Sequence, residues 1–173
     1  IAEQIQKIGC RLNRLHFVAG NLRPVSHLHV TLLPLADYPE LEDEAVRRAM
    51  RGCEAVAALS QTFELEFNRM VCWRGNRARI PLVLTQERRS LPLDALYQNT
   101  VIQLHRQGFA LPKKRFTPHV TTSYNRRSFP AEIVPAMRWR AEELVLIHSF
   151  VGLTKYVELG RWRLGEPVMP DSA

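Results

Sequence analysis

Three observations in the 173-residue sequence predict an α+β fold. Apolar residues recur at helical spacing in three stretches, short strand-like runs separate them, and twice a helix feeds a strand that carries the same tripeptide. The length suits one domain, or two small lobes sharing a core, and the coarse order hints at two similar lobes across residues 1–173. Apolar residues at 46% and charged residues at 24% are ordinary for a globular protein.

Ile1, Ile5, Ile8 and Leu12 mark the first helix, and Gly20 and Pro24 fall in the loop after it. Residues 27–33, HLHVTLL, read as a strand closed by Pro34. A polar loop with Asp37 and Pro39 leads into a helix from about Leu41 to Leu59. In FELEF, Phe63, Leu65 and Phe67 alternate with two glutamates, which is the pattern of a half-buried strand reaching toward Trp73. RGNR turns the chain into ARIPLVLT, where Pro81 argues for an edge strand or a bulge. A further helix runs from about Pro92 to Gln107 and stops at Gly108. Basic KKRFTP precedes the strand HVTTSY. After a looser stretch, 125–135, the run from Glu143 to Leu164 reads as two strands joined around Gly152, with a frayed tail beyond.

No apolar run approaches the length of a membrane span and no signal peptide is visible, which excludes an integral helical membrane protein. The chain starts at Ile1 rather than Met, so an absent leader stays open. Three scattered cysteines, Cys10, Cys53 and Cys72, suit free thiols in a reducing cytoplasm better than a disulfide framework. Net charge is +7, spread over short clusters such as Lys113-Lys114-Arg115 and Arg126-Arg127. That distribution favours a short phosphate-bearing ligand over a long duplex.

The repeated tripeptide is His29-Val30-Thr31 and His119-Val120-Thr121. Residues i and i+2 of a strand share a face, so each motif projects an imidazole beside a hydroxyl while Val turns inward. Two such motifs around one cavity supply a base, an acid and two hydroxyls, a workable set for displacement at phosphorus. Histidine suits both duties because its unperturbed pKa is about 6.5. The alternative is a pair of satisfied strand histidines with no chemistry. His27, His29 and Thr31 would also share a face, and His-x-His is a metal-binding pattern, but no Asp, Glu or Cys cluster adds further ligands, so no metal is expected. His16, His105 and His148 have no partner pattern and read as structural.

The segments HLHVTLLPL and RFTPHVTTSY resemble the two signature motifs of the 2H phosphoesterases, and within them the bacterial 2′-5′ RNA ligase family of RNA 2′,3′-cyclic phosphodiesterases. The long intervening helix, the PLVL strand and the closing strand pair extend the resemblance over nearly the whole chain. It implies a bilobed, pseudo-symmetric fold in which two antiparallel sheets line a central groove, helices lie outside, and each lobe contributes one motif. It implies hydrolysis of a terminal 2′,3′-cyclic phosphate, on RNA ends or nucleotides, to a 2′-phosphate by a monomer without cofactor or metal. His29 would protonate the 3′-oxygen, His119 would activate water, and Thr31 and Thr121 would bind phosphoryl oxygens, although the sequence leaves the two histidine roles interchangeable.

Three departures from the family pattern stand out. Residue 1 already lies in the first helix, so the strand that usually precedes it in the family either lies before the numbered chain or is absent; Thr122 stands where a hydrophobic residue commonly follows the second motif, and Tyr124 precedes Arg126 where many members carry an Arg. Arg115, Tyr124 and Arg126 are candidate contacts to phosphate or base, against a reading as solvated loop residues. Trp73 and Phe116 either stack on a base or simply pack. Two other activities use the same outline: 2′-5′ RNA ligation or 2′,5′-phosphodiester cleavage on the same fold, and RNA or nucleotide binding without catalysis.

Overall fold

A computed structural model describes residues 1–35, 42–73, 79–111, 116–150, 153 and 155–165. Contacts divide the chain into two compact units. The first comprises residues 1–31, 65–89 and 117–139, and the second comprises 32–64, 90–116 and 140–173.

The first unit is built on a five-stranded sheet. Its strands in chain order are β1 (Gly20–Leu22), β2 (Phe63–Cys72), β3 (Ile80–Thr85), β4 (His119–Asn125) and β5 (Glu132–Ala141), and their order across the sheet is β1-β4-β3-β2-β5. β3 runs antiparallel to both β2 and β4, and β1 antiparallel to β4. Helix α1 (Ala2–Leu15) contributes Ile5 and Leu12 to the core together with Met70, Leu82, Leu84 and Val120. Burying such side chains stabilises the unit by roughly 1.5–3 kcal/mol each.

Close approach of α1 to β4 depends on small and polar groups. A Cβ at Gly9 would lie 2.9 Å from Thr122 Oγ1, and one at Gly20 would overlap the Asn125 carboxamide. Asn13, Ser123 and Asn125 are buried and bond one another: Asn125 Nδ2 donates to Asn13 Oδ1 at 2.8 Å, and Ser123 Oγ donates to Asn125 Oδ1 at 2.9 Å. This network satisfies polar groups that would otherwise be costly to bury.

Two expectations are corrected here. The loop around Gly20 contains strand β1, which is too short for periodicity to reveal. The looser stretch 125–135 ends inside β5, a strand whose Pro135 is tolerated because β5 lies at the sheet edge, where a missing N–H breaks no ladder. Pro81, by contrast, lies in interior β3 beside a bulge, not at an edge.

The second unit pairs α2 (Asp43–Ala58) and α3 (Leu91–Arg106) with a two-stranded antiparallel sheet of β6 (Glu143–Phe150) and β7 (Lys155–Arg163). Gly52 lets the helices approach, since a Cβ there would lie 2.8 Å from Leu104 Cδ2. Ser90 caps α3 by accepting from the Leu93 amide at 3.4 Å, and Gly108 ends it with φ +83°. Val56, Leu93, Leu104 and Leu146 are buried in this unit's core. Gly152, the frayed tail and the polar loop with Asp37 and Pro39 lie outside the described residues.

Replacing Asn125 by Ala strands its buried partners Asn13 and Ser123. Urea denaturation should show a loss of about 1–3 kcal/mol, and a change below about 0.5 kcal/mol would show that the network is not needed.

Candidate functional site

Two different backbone arrangements carry the two motifs. His119, Val120 and Thr121 open β4, as the alternation predicts: Val120 is buried, and His119 and Thr121 are partly exposed. The first motif departs from expectation. Val25–His27 forms a 3-10 turn, Leu28 is extended, and residues 28–35 join no sheet among the described residues, so HLHVTLL is not a strand. His27 therefore does not share a strand face with His29. The extended backbone still alternates, with His29 and Thr31 exposed around a half-buried Val30. Hydrogen bonds hold this segment in place: the Arg23 amide donates to the Thr122 carbonyl at 2.8 Å, and Gln6 Nε2 donates to the Arg23 carbonyl at 2.7 Å.

Both imidazoles are oriented in the same way. His29 Nδ1 lies 2.8 Å from the His27 carbonyl, and His119 Nδ1 lies 2.9 Å from the Thr117 carbonyl. A carbonyl oxygen only accepts, so each Nδ1 carries the proton and each Nε2 is left to face a substrate. The Trp73 ring lies 4.2 Å from the His119 ring at 49°, which further limits its rotation. Pro118, between Thr117 and His119, is itself anchored by the Thr85 hydroxyl, which donates to its carbonyl at 2.9 Å.

Surrounding protein lowers the pKa of both histidines. For His29 desolvation is the largest cause; the His27 carbonyl works the other way, and the charges of Arg23, His119 and His27 lower the pKa further. For His119 desolvation again dominates and is partly opposed by its bond to Thr117. His29 keeps an accessible edge, so its ring is crowded by protein on the remaining sides rather than enclosed. Free of ligand, both rings thus favour the neutral, proton-accepting form near neutral pH.

A β-bulge decides which residues join the histidines. Val83 pairs with Thr121 but Leu82 pairs with Ser123, so Thr122 is an extra residue in β4. Strict alternation from His119 would turn Tyr124 to the opposite face. With the bulge, His119, Thr121 and Tyr124 stand opposite Thr85, Val83 and Pro81, all on one face. Thr122 is fully buried, and its hydroxyl donates to the Leu82 carbonyl at 3.0 Å, which accounts for a polar residue at that core position.

The structure thus gathers His29, His119, Thr121, Tyr124 and Trp73 within the first unit. Thr31 follows His29 there, at the last position of the unit's first segment. Both motifs fall in that unit, whereas the resemblance implies one in each lobe. The reason is local: the Arg23–Thr122 hydrogen bond ties the segment leading to His29 onto β4 itself. Arg126 is exposed one residue past β4, its amide 3.4 Å from the Ala19 carbonyl. Phe116 belongs to the second unit and stacks on Tyr97 at 4.3 Å. Arg115 lies outside the described residues.

Two further arginines were not singled out from sequence. The Arg23 and Arg79 guanidinium groups lie 6.0 and 4.4 Å from the centroid of the Tyr124 ring. No periodicity marks either one, and proximity to His-x-His in one case and to RGNR in the other was the only available cue. Among the described residues no three His, Cys, Asp or Glu side chains cluster as metal ligands, and no helix is long and apolar enough to cross a membrane.

Among solved structures, TT0787 of Thermus thermophilus matches with a TM-score of 0.70 at 19% identity, over 95% of this chain and 93% of that one. E. coli LigT complexed with 3′-AMP matches with a TM-score of 0.67 at 23% identity, over 95% and 92%. A crystal structure described as a phosphoesterase matches at 0.65 and 21%, over 86% and 83%. These likenesses make the architecture a 2H phosphoesterase fold of the LigT type. The chain belongs to the 2′-5′ RNA ligase superfamily, whose family model matches residues 1–150. No curated protein matches it.

The histidine environments make a spectroscopic prediction. Nitrogen-15 NMR of the free protein should show both His29 and His119 as Nδ1–H tautomers titrating below 6.5, and saturating inorganic phosphate should raise at least one of the two pKa values. Because the folded-state values are depressed, the unfolded chain binds these protons more tightly, so stability should decline as pH falls through 6.5 toward the folded values. Titration of both rings above 6.5 would contradict the assigned environment.

Proposed function

We propose that the protein hydrolyses a terminal 2′,3′-cyclic phosphate, on RNA or on a nucleotide, to a 2′-phosphate by metal-independent acid–base catalysis with two histidines. The observation that carries this reading is the shared fixing of both imidazoles, each pinned through Nδ1 to the carbonyl two residues before it. Superfamily membership supports phosphoester chemistry. The structures of E. coli LigT complexed with 3′-AMP, ATP, NADP+ and phosphate, a protein of the same fold, support a nucleotide substrate.

In this mechanism His119 Nε2 takes a proton from water as the water oxygen bonds to phosphorus. The bond from phosphorus to the 3′-oxygen breaks, and His29 Nε2–H gives that oxygen its proton, leaving a 3′-hydroxyl and a 2′-phosphate. The Thr31 and Thr121 hydroxyls donate to the non-bridging oxygens as charge grows on them. The Arg23 charge opposes protonation of His29 in the free protein, so acid duty falls to it once the anionic phosphate offsets that charge. Arg126, exposed one residue past β4, adds a longer-range attraction for the same anion.

Superfamily membership also favours a second reaction on the same groups, in which an RNA 5′-hydroxyl replaces water and a 2′-5′ linkage forms. Paired RNA half-molecules distinguish the two: a joined product identifies ligation, and a 2′-phosphate end identifies hydrolysis. RNA ends that stay unchanged while binding remains salt-dependent would leave a binding module without catalysis.

An RNA oligonucleotide ending in a 2′,3′-cyclic phosphate, incubated in excess EDTA, should yield a 2′-phosphate. His29→Ala and His119→Ala should each lower kcat/KM by about 10²–10⁴-fold; full activity in either variant excludes two-histidine catalysis. Since both imidazole pKa values are lowered, kcat/KM should peak on the acid side of about 6.5 and fall at either side. An optimum well into the alkaline range would rule out this pair as the titrating acid and base.

A further inference from the structure

The face that carries His119 does not end at the reacting centre. Four residues along β3 from Thr85, the partner of His119, lies Pro81, the partner of Tyr124. At roughly 3.3 Å per residue this places Tyr124 about 13 Å along the strand from His119. That distance exceeds the reach of a single phosphate between the two imidazoles. The Tyr124 ring is partly exposed there, with the Arg79 guanidinium 4.4 Å and the Arg23 guanidinium 6.0 Å from its centroid. Arg79 is exposed, and Arg23 is half-buried with its backbone tied at both amide and carbonyl. The Arg23 charge is also felt at His29, and the Arg23 backbone is tied to β4 at Thr122.

From this arrangement we infer that Tyr124, Arg23 and Arg79 form a subsite for the nucleotide on the 5′ side of the reacting end, which makes a single-stranded oligonucleotide the preferred substrate over a mononucleotide. The inference rests on the proposed reaction and deepens it. A mononucleotide cyclic phosphate carries one anionic group and one base, and the histidine pair with its threonines engages the phosphate. An oligonucleotide end adds a further base and a phosphodiester at the spacing of the platform. Tyrosine offers a π-face for that base, since stacking on an aromatic ring tolerates any base and suits single strands. The two guanidinium groups, 4.4 and 6.0 Å from the ring centroid, offer a cationic pair for the phosphodiester beside the ring. The bulge at Thr122 is what makes the subsite possible, because without it Tyr124 would turn away from His119.

The test compares kcat/KM for a trinucleotide and a mononucleotide, both ending in a 2′,3′-cyclic phosphate, in the intact protein and in Arg79→Ala, Tyr124→Ala and Tyr124→Phe. The intact protein should favour the trinucleotide by about tenfold or more, the scale of one base-stacking contact. That ratio should drop toward one in Arg79→Ala and Tyr124→Ala and be retained in Tyr124→Phe, which keeps the ring. Rising salt should erode it, as expected of a phosphodiester contact. A ratio near one in the intact protein overturns the inference, as does an Arg79→Ala variant that loses rate equally on both substrates. Thermal melting separates misfolded variants from those lacking the contact. Failure to hydrolyse either substrate counts against the proposed reaction alone; fluorescence polarisation with a labelled trinucleotide 2′-phosphate and the matching mononucleotide then judges the subsite. Equal affinity for the two, or no loss in Arg79→Ala, overturns it by that route.

Discussion

The arrangement of the candidate site depends on one inserted residue in a central strand. Thr122 is accommodated in β4 as a bulge, held because its hydroxyl reaches the Leu82 carbonyl and because Gly9 leaves room for it beneath α1. The insertion reverses the alternation of every side chain after it. Ser123 and Asn125 are thereby turned toward Asn13 of α1, and Tyr124 toward the side of His119. On the other side of β4 the Thr122 carbonyl accepts the amide of Arg23, which continues the β1–β4 register and fastens the segment that leads to the first motif. Packing of the helix and composition of the site face both follow from the same local irregularity, and the His29 segment is attached at the same residue.

The two histidines reach a common state by unlike routes. One opens a paired strand, and the other sits in an extended segment with no ladder partner. In each, the ring nitrogen nearest the backbone is engaged by the carbonyl two residues back, and protein around the ring disfavours its charged form. The same contact arises in two local settings, since His27 closes a 3-10 turn and Thr117 precedes β4. Lowered pKa values matter because a neutral imidazole accepts a proton, and an anionic ligand is then what restores the charged form in one of the pair.

Much of this was legible from residue order. The helices were placed to within a few residues, α1 by the spacing of its apolar residues and the end of α3 by Gly108, which adopts a left-handed turn. Alternation marked β2, and strand-like runs marked β3, β4 and the β6–β7 pair. The misses were β1, three residues long, and β5, where Pro130 just before the strand and Pro135 within it conceal an edge strand. Reading HLHVTLL as a strand failed for the opposite reason: its β-rich composition is real, but among the described residues no strand pairs with it.

Taken alone, the sequence determined the α+β class, the identity of the two His-x-Thr motifs and the pairing of each His with its Thr, because these depend only on residue type and on the two-residue period of extended backbone. Tertiary structure decided that both motifs belong to one compact unit, that Tyr124 faces His119, and that Arg23 and Arg79 gather around its ring. Those outcomes come from strand register and from a bulge, which arise between segments distant in the chain and leave no periodic trace within any one of them.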